Sequence, residues 1–240
     1  MSDAKKTITF RVIFQLLLVV FIAPFLPMLI SGHWDWWQAW AYALTSILAF
    51  VASRVLASRR HPDLLRERAR FMDAKDTKTW DKVLAPLLGL GSVLIPVVAG
   101  VDKYYGWTPT SSLTLNASAS LSTSLLALAG ILLGYGFSSW ALIENRFFAG
   151  TVRIQTERGH HVISSGPYRI VRHPGYAGGL LGYLCIPILL DSLWAWIPTV
   201  LLVAVLFART ALEDKTLQAE LPGYREYAQK TRFRLLPGIW

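Results

Sequence analysis

The sequence predicts an all-α, polytopic integral membrane protein with about six transmembrane helices. Of its 240 residues, 53% are hydrophobic and only 16% are charged, whereas a soluble domain carries roughly 25% charged residues. Apolar runs close to the ~20 residues that cross a bilayer recur along the chain. They lie at 12–30, 37–57, 83–101 and 121–143, followed by a tighter pair at 177–190 and 193–212. We therefore expect six spans, of which the fifth is short.

The first apolar run has two interpretations. Lys5, Lys6 and Arg11 precede it, as basic residues precede the apolar core of a signal peptide. No small-residue cleavage motif follows this run, and the next residues form an aromatic cluster from Trp34 to Trp40. We therefore expect the run to be a retained membrane span.

Basic residues predict the orientation. In a six-span chain, 23 of the 24 Lys and Arg residues fall on one side of the membrane, and Lys103 alone falls on the other. The positive-inside rule then places both termini in the cytoplasm, for a protein of the inner or cell membrane. A net charge of +9 also suits contact with anionic membrane lipids. Because topology accounts for the charge, we expect no nucleic-acid partner.

The chain divides into three regions. Residues 1–101 hold the N-terminal transmembrane helices, residues 102–120 form an external polar loop rich in Ser and Thr, and residues 121–240 alternate apolar helices with polar motifs. We expect the chemistry in this last region. The single cysteine, Cys185, lies in an apolar run, so we expect neither a disulfide framework nor a metal cluster.

The most distinctive polar segment is GPYRIVRHPGY, residues 166–176. Its Gly-Pro pair fixes a turn, and Pro174 moves His173 out of the helical conformation. We therefore expect a shaped loop that ends where the fifth helix begins. Tyr176 and three glycines open that helix, where small residues allow another backbone or a ligand to approach closely. In the alternative interpretation, Arg172 and His173 only anchor a helix end at the lipid headgroups.

A second polar motif, RTALEDKTLQAELPGYREY at residues 209–227, continues the last apolar run. Arg209 and Glu213 are four residues apart and share a helical face. A charge at a membrane span is costly unless it is paired or faces a cavity, which leaves an interfacial ion pair or part of a site. The adjacent Asp214 favours the site, because one acid would suffice as a partner.

Two further segments flank these motifs. SRRHPDLLRERAR, residues 58–70, is typical of an amphipathic helix on the membrane surface, anchored by its arginines, with a possible second role in covering the site. Tyr224 and Tyr227 are three residues apart and share a helical face. The apolar ending LLPGIW predicts a lid that folds back onto the membrane surface.

These motifs together resemble those of the isoprenylcysteine carboxyl methyltransferase family, within a wider superfamily of membrane methyltransferases and sterol reductases. The resemblance covers about residues 145–240 and depends on four ordered segments: GPYRIVRHPGYAGG, RTALEDKTL, GYREY and RFRLLPGIW. The Arg-His-Pro element is common to the superfamily, whereas the ordered set is specific. The sequence has no GxGxxG turn, P-loop, HExxH or GxSxG motif that would indicate a soluble alternative.

The resemblance implies a pocket for S-adenosylmethionine at the cytoplasmic face, built by the C-terminal half of the chain. Arg209 falls where the family has an arginine that faces the substrate carboxylate, and Arg172 is our second candidate catalytic residue. His160 and His161 have an alternative role as solvent-facing loop residues, and they lack the ligand spacing of a metal pair. The implied cofactor-binding residues are Gln155, His160, His161, Val162, Ile163, Tyr168, His173, Tyr176 and Glu213.

The predicted function is S-adenosylmethionine-dependent methyl transfer to a lipophilic, carboxylate-bearing acceptor that enters from the membrane. Arg209 would bind the carboxylate through two hydrogen bonds, whereas an amine acceptor would need Glu213 or Asp214 as a general base. The alternatives are a phospholipid, amine or thiol methyltransferase, an NADPH-dependent reductase of the sterol-reductase type, and a non-enzymatic membrane protein or transporter. Besides the acceptor, the expected partners are membrane lipids.

Overall fold

The computed structural model describes residues 18–69, 76–109 and 117–240. Throughout these ranges the secondary structure is helical, without a β-strand. Residues 12–17 of the first predicted span lie outside the described residues. The rest of that span is a π turn, a 3-10 turn and a short α-helix, which are Leu18–Ile22, Ala23–Phe25 and α1 (Leu26–Ser31).

Four helices are long and apolar enough to cross a membrane. They correspond to the predicted second, third, fourth and sixth spans. α5 begins within the predicted external loop, so its start precedes the expected boundary at residue 121. The four helices are α2 (Trp37–Arg60), α4 (Asp81–Tyr105), α5 (Ala117–Glu144) and α7 (Trp196–Glu220).

Three shorter helices complete the described chain: α3 (Leu64–Ala69), α6 (Pro174–Leu189) and α8 (Tyr224–Lys230). α6 has 16 residues and is therefore ~24 Å long, short of the ~30 Å hydrocarbon core. The prediction of a short fifth helix is confirmed. That α6 and the first apolar run also cross the membrane stays a prediction.

The long helices are apolar on both their inner and their outer surfaces. On the outside, large side chains such as Leu126 (74% exposed) and Leu133 (69% exposed) point away from the bundle. On the inside, Ala43, Ile95 and Ile131 belong to one buried cluster. A helix that is apolar all round is typical of a membrane span, so the fold is that of an integral membrane protein.

The helices pack into a bundle in which α5 and α6 make the most extensive contact. A Cβ atom on Gly134 would lie 2.5 Å from the carbonyl oxygen of Gly178, so the two backbones approach as closely as glycine allows. The Ser138 hydroxyl donates to the Gly175 carbonyl (2.8 Å) beside this contact. Further contacts join α1 to α4, α4 to α7, α7 to α6, and α2 to α5.

The segment between α5 and α6 is the loop that the sequence predicts. Gly166 begins a 3-10 turn with a φ of 56°, a left-handed conformation that glycine adopts without strain. His173 has φ −124° and ψ 63°, and α6 begins at Pro174, so the expected effect of the proline is confirmed.

α3 holds the other end of this loop through ion pairs. Asp63, just before α3, pairs with Arg158 at 2.5 Å, and Glu67 pairs with Arg153 at 2.5 Å. The Arg158 hydrogen bond lowers the pKa of Asp63. The segment predicted as a surface helix therefore contains a short helix, and one acid within this helix and one just before it fasten the segment to the loop at 146–158.

The chain after α8 folds back onto α6 and α7. The Arg172 N–H donates to the Phe233 carbonyl (2.9 Å), and the His173 N–H donates to the Arg234 carbonyl (3.0 Å). Leu235 is buried between α6 and α7. The ending thus packs against these two helices, and residues 228–240 do not line the cavity described below. That the ending forms a lid on the membrane surface stays a prediction.

Candidate functional site

A cavity of about 330 Å³ lies between the loop that precedes α6, the start of α6 and the last turns of α7. All eleven residues that the sequence predicts for the site line this cavity, although they are spread over the loop and two helices. They are Gln155, His160, His161, Val162, Ile163, Tyr168, Arg172, His173, Tyr176, Arg209 and Glu213.

Gln155 and His160 shape one end of the cavity. The buried Gln155 amide donates to the Phe147 carbonyl (2.8 Å), and the Gln155 backbone N–H donates to His160 Nδ1 (3.2 Å). The His160 ring centroid lies 4.5 Å from that of Phe147, and the His161 ring meets Phe147 edge-on at 4.9 Å. Both histidines therefore form part of an aromatic cluster on the cavity wall.

The environment keeps His160 neutral. Burial, with the nearby His161 and the positive charges of Arg153 and Arg158, lowers the pKa of His160 to about 4. At neutral pH its ring is therefore an uncharged imidazole, in agreement with Nδ1 acting as the acceptor for Gln155. A neutral, flat ring suits contact with an aromatic or apolar ligand group.

Val162, Ile163 and Tyr168 make the apolar side of the cavity. They pack with Tyr224 and Tyr227 of α8, whose rings lie 5.3 Å apart. Burial raises the pKa of Tyr168 far above its usual value, so its hydroxyl stays protonated. The Tyr227 hydroxyl donates to the Tyr168 carbonyl at 2.7 Å, which fastens α8 to the loop.

Glu213 and Asp214 are neighbours in sequence but have different surroundings. Glu213 lines the cavity and accepts a hydrogen bond of 2.6 Å from the Tyr176 hydroxyl. The His173 ring stacks on Tyr176 with centroids 5.9 Å apart. Asp214 is fully buried and does not line the cavity, because successive residues of a helix point in directions about 100° apart.

Asp214 is the centre of a hydrogen-bond network behind the cavity. Arg172 donates to it from Nε (2.7 Å) and Nη2 (3.0 Å), Arg234 donates from Nε (3.0 Å) and Gln218 donates from its amide (2.7 Å). Arg172 Nη1 donates to the carbonyls of Thr231 and Arg232. The guanidinium of Arg172 therefore joins the Arg-His-Pro element to α7 and the C-terminal segment.

Arg209 is paired with Asp81, at the start of α4. Its Nε donates to Asp81 Oδ1 (2.6 Å), and its Nη2 donates to Asp81 Oδ2 (3.1 Å) and to the Gly150 carbonyl (2.9 Å). Within the described chain Arg209 and Glu213 form no ion pair, although they share a helical face. Nη1 of Arg209 makes no hydrogen bond to a described residue, and the guanidinium carbon lies 5.4 Å from the centroid of the Tyr176 ring.

A second cavity, of about 630 Å³, adjoins the first between α2, α4, α5 and α6. Along α2 it extends from Tyr42 to Arg54, a distance of ~18 Å along a helix. Most of its wall is apolar. The residues that line both cavities form their common boundary, and they are Arg68, Gly89, Ser92, Phe148, Gly175, Gly179 and Tyr183.

The structure adds site residues that the sequence analysis missed. Asp81 fixes Arg209, Asn145 donates to the Tyr168 hydroxyl (3.1 Å), and Arg68 lies on the boundary of the two cavities. A signal for Asp81 was present, since an acid at the end of an apolar run requires a partner. No group of three or more His, Cys, Asp or Glu in the described ranges is arranged to hold a metal ion.

The comparison with protein families bears on which class of protein this geometry serves. Residues 118–219 match the sequence model of the isoprenylcysteine carboxyl methyltransferase family. The resemblance to this family is confirmed. All eleven predicted site residues lie within the matched range, whereas Asp81, Arg68 and Arg54 lie outside it. The match supports a methyltransferase.

Three individual relatives match the chain over part of their length, and two of them have names that agree with the family match. Two rice proteins, from Oryza sativa subsp. indica and japonica, are each named probable protein-S-isoprenylcysteine O-methyltransferase and are 28% identical over 110 residues. The alignment covers 45% of this chain and 58% of each rice protein. The cobalt-zinc-cadmium resistance protein CzcN of Cupriavidus metallidurans is 33% identical over 79 residues, 32% of this chain and 37% of that protein. The chain therefore spans less than two thirds of these relatives.

Proposed function

We propose that the protein transfers a methyl group from S-adenosylmethionine to the carboxylate of a lipophilic acceptor. The observation that carries this proposal is the pair of adjoining cavities. One contains every residue that the family resemblance assigns to the cofactor, and the other is a mainly apolar space among the long helices. A common boundary between them is what a transfer reaction between a polar cofactor and a lipophilic acceptor requires.

The first cavity fits the cofactor in size and in chemistry. Its volume of about 330 Å³ lies within the roughly 300–1,000 Å³ of small-molecule sites. Val162, Ile163 and the neutral ring of His160 offer surfaces for an adenine ring. Glu213, with one hydrogen bond from Tyr176, keeps acceptor capacity for cationic or hydroxyl groups. These residues would hold S-adenosylmethionine.

Bound S-adenosylmethionine would supply an electrophilic methyl group, to which an acceptor oxygen bonds while the carbon–sulfur bond breaks and its electron pair stays on sulfur. A carboxylate acceptor needs no base, because no proton has to leave. The task of the chain is therefore to align the acceptor and exclude water, and positioning of this kind can supply roughly 7–11 kcal/mol. Asp214, buried and saturated with donors, is unsuited to act as a base.

The two predicted catalytic arginines receive different roles in this proposal. Arg172 is a positioning residue, because Asp214 and backbone carbonyls engage all of its nitrogens. Arg209 has its Nε edge fixed by Asp81 and retains Nη1 for a ligand in the first cavity. Arg209 would therefore offer one hydrogen bond to the acceptor or cofactor, not the two-point contact that the sequence suggested.

We also propose that the protein has six spans with both termini and the first cavity on the cytoplasmic side. The distribution of 23 of 24 basic residues supports this orientation. Reporter fusions at residue 110 are expected to report the outside and fusions at residue 160 the cytoplasm. The reverse pattern would contradict the proposed orientation.

Thermal stabilisation by ligands tests the proposed activity. S-adenosylhomocysteine is expected to raise the melting temperature of the purified protein, whereas NADPH should not, since only a ligand of the folded state stabilises it. Radiolabelled S-adenosylmethionine should then label S-farnesylcysteine as an alkali-labile methyl ester. Stabilisation by NADPH alone would instead support a reductase and reject the methyltransferase.

A further inference from the structure

Two arginines on the second cavity have no acidic partner among the residues that the structure describes. Arg54 Nη1 donates to the Ser53 hydroxyl (2.9 Å), and its guanidinium carbon lies 4.1 Å from the centroid of the Phe50 ring. Arg68 Nη1 donates to the Phe148 carbonyl (3.1 Å), and the guanidinium carbon of Arg68 lies 5.3 Å from the centroid of the Phe148 ring. Both side chains are partly exposed and line the cavity.

The position of Arg54 is costly for a cation. It lies on α2 six residues before Arg60, the last residue of that helix, and so ~9 Å deeper along the helix axis. A charged side chain within a membrane span usually faces a cavity or marks a ligand path. Arg60, by contrast, has an acidic partner in Glu144 at 3.2 Å. Among the residues that the structure describes, no acid offsets the charge of Arg54, and the cavity that Arg54 lines is a place where a ligand could supply the counter-charge.

Arg68 brings this positive charge to the boundary of the two cavities. It lines both of them, and its neighbour Arg209 lines the first. Burial and the nearby charge of Arg209 lower the pKa of Arg68 to about 10, so Arg68 remains protonated at neutral pH. An anion on the boundary would offset both the cost of burying the Arg68 charge and its repulsion by Arg209.

We propose that Arg54 and Arg68 bind the carboxylate of the acceptor and make the second cavity selective for lipophilic acids. A planar guanidinium can donate two hydrogen bonds to one carboxylate. In Arg209 the Nε and Nη2 edge that would do so is already bound to Asp81. The apolar chain of the acceptor would extend from Arg54 along α2 towards Tyr42. In calling the ligand the methyl acceptor, this inference depends on the proposed function.

Both arginines lie outside the matched range 118–219. The selectivity for an acid would therefore reside in the N-terminal helices, whereas the cofactor residues reside in the C-terminal half.

Binding of matched acids and amides tests the inference without requiring catalysis. The probes are S-farnesylcysteine and palmitic acid, each compared with its own carboxamide. We expect the parent protein to bind each acid about tenfold or more tightly than its amide, as a charge-assisted hydrogen-bond pair allows. Arg54→Gln and Arg68→Gln should each remove most of this preference. Arg59→Gln, an exposed neighbour on α2, should keep it.

S-adenosylhomocysteine binding in the same samples reports whether each variant is folded. Arg54→Lys and Arg68→Lys, which keep the charge and lose the planar fork, are expected to retain an intermediate preference. Equal binding of acid and amide by the parent protein, or full preference in both glutamine variants, overturns the proposal. Arginine-dependent preference without any methyl transfer would support the acid site and contradict the proposed function.

Discussion

The two cavities differ in how the charged side chains on their walls are paired. In the first, Arg209 is paired with Asp81 and Arg172 with Asp214, and Glu213 accepts a hydrogen bond from the Tyr176 hydroxyl. Arg68, on the common boundary of the two cavities, has no described acidic partner. On the second, Arg54 and Arg68 face a largely apolar space without a described acid. A paired network fixes geometry before a ligand arrives, whereas an unpaired cation in an apolar space selects a ligand by charge. The comparison assigns geometry to one cavity and selectivity to the other.

The strongest challenge to this comparison is the removal of the Asp214 charge. Asp214→Asn leaves Arg172 and Arg234 with a weak partner, and breaking a buried pair typically costs about 3–5 kcal/mol. We expect the variant to unfold at a much lower temperature than the parent protein, or to give little folded protein. Differential scanning fluorimetry measures the effect.

Glu226→Gln is the matched control for this change, because Glu226 is exposed on α8. It should change stability by less than about 0.5 kcal/mol. An Asp214→Asn variant as stable as the control would show that the paired network does not hold the first cavity together.

Arg209→Lys separates fixed geometry from charge. Lysine keeps the positive charge but loses the fork that contacts Asp81 at two points. We expect a folded protein that binds S-adenosylhomocysteine almost as the parent does, with turnover lower by about tenfold or more because positioning is lost. Steady-state kinetics with a saturating methyl acceptor measures it.

Arg225→Lys, on the exposed side of α8, serves as the control and should turn over normally. Parental turnover by Arg209→Lys would mean that the pair with Asp81 contributes stability alone.

Tyr176→Phe sharpens the role of Glu213 in the first cavity. The change removes the 2.6 Å hydrogen bond to the carboxylate and leaves the ring in place. We expect the dissociation constant of S-adenosylhomocysteine to rise by about three- to tenfold, with little change in affinity for S-farnesylcysteine. Tyr105→Phe, an exposed tyrosine at the end of α4, should alter neither constant. If calorimetry finds that only the binding of S-farnesylcysteine is weakened, Glu213 contacts the acceptor and not the cofactor.

The difference between the cavities also shows what the sequence could predict. Most of the wall of the first cavity comes from the C-terminal half of the chain, which holds the ordered motifs, so eleven of its lining residues could be named without a structure. Its pairings could not: the helical spacing of Arg209 and Glu213 suggested a mutual contact, whereas Asp81, distant in sequence, takes the arginine. Tertiary packing decides such pairings, because a buried guanidinium binds whichever acid the fold brings near it.

No sequence motif predicted the second cavity. Its wall consists of ordinary apolar side chains, and Arg54 and Arg68 belong to a segment whose basic residues membrane topology already explains. The four long spans followed directly from apolar run length. The start of α5 at Ala117, within the predicted external loop, could not be predicted from run length. Ser and Thr are compatible with both a polar loop and the first turns of a helix.

A change of pH tests the neutral state of His160 in the first cavity. Its pKa of about 4 in the folded protein lies below the usual value of about 6.5, so the unfolded state binds a proton more readily. Stability should therefore fall as the pH drops from 6.5 towards 4. The two pKa values set an upper limit of about 2 kcal/mol for the loss at pH 5, and solvent screening of the partly exposed ring reduces it. The acids Asp63 and Glu157, whose pKa values are lowered, add to the loss only nearer pH 4.

His160→Gln should flatten the dependence of the melting temperature on pH between 7 and 5, whereas His33→Gln, at an exposed position, should leave it unchanged. Equal slopes in the parent protein and in His160→Gln would mean that His160 is not held neutral.

The central claim is that cofactor and acceptor occupy separate cavities, and calorimetry of two variants tests it most directly. S-adenosylhomocysteine and S-farnesylcysteine are each titrated into Glu213→Gln and Arg54→Gln. We expect Glu213→Gln to weaken binding of S-adenosylhomocysteine alone and Arg54→Gln to weaken binding of S-farnesylcysteine alone. Parental affinity of Glu213→Gln for S-adenosylhomocysteine, or loss of both ligands by each folded variant, would contradict the claim.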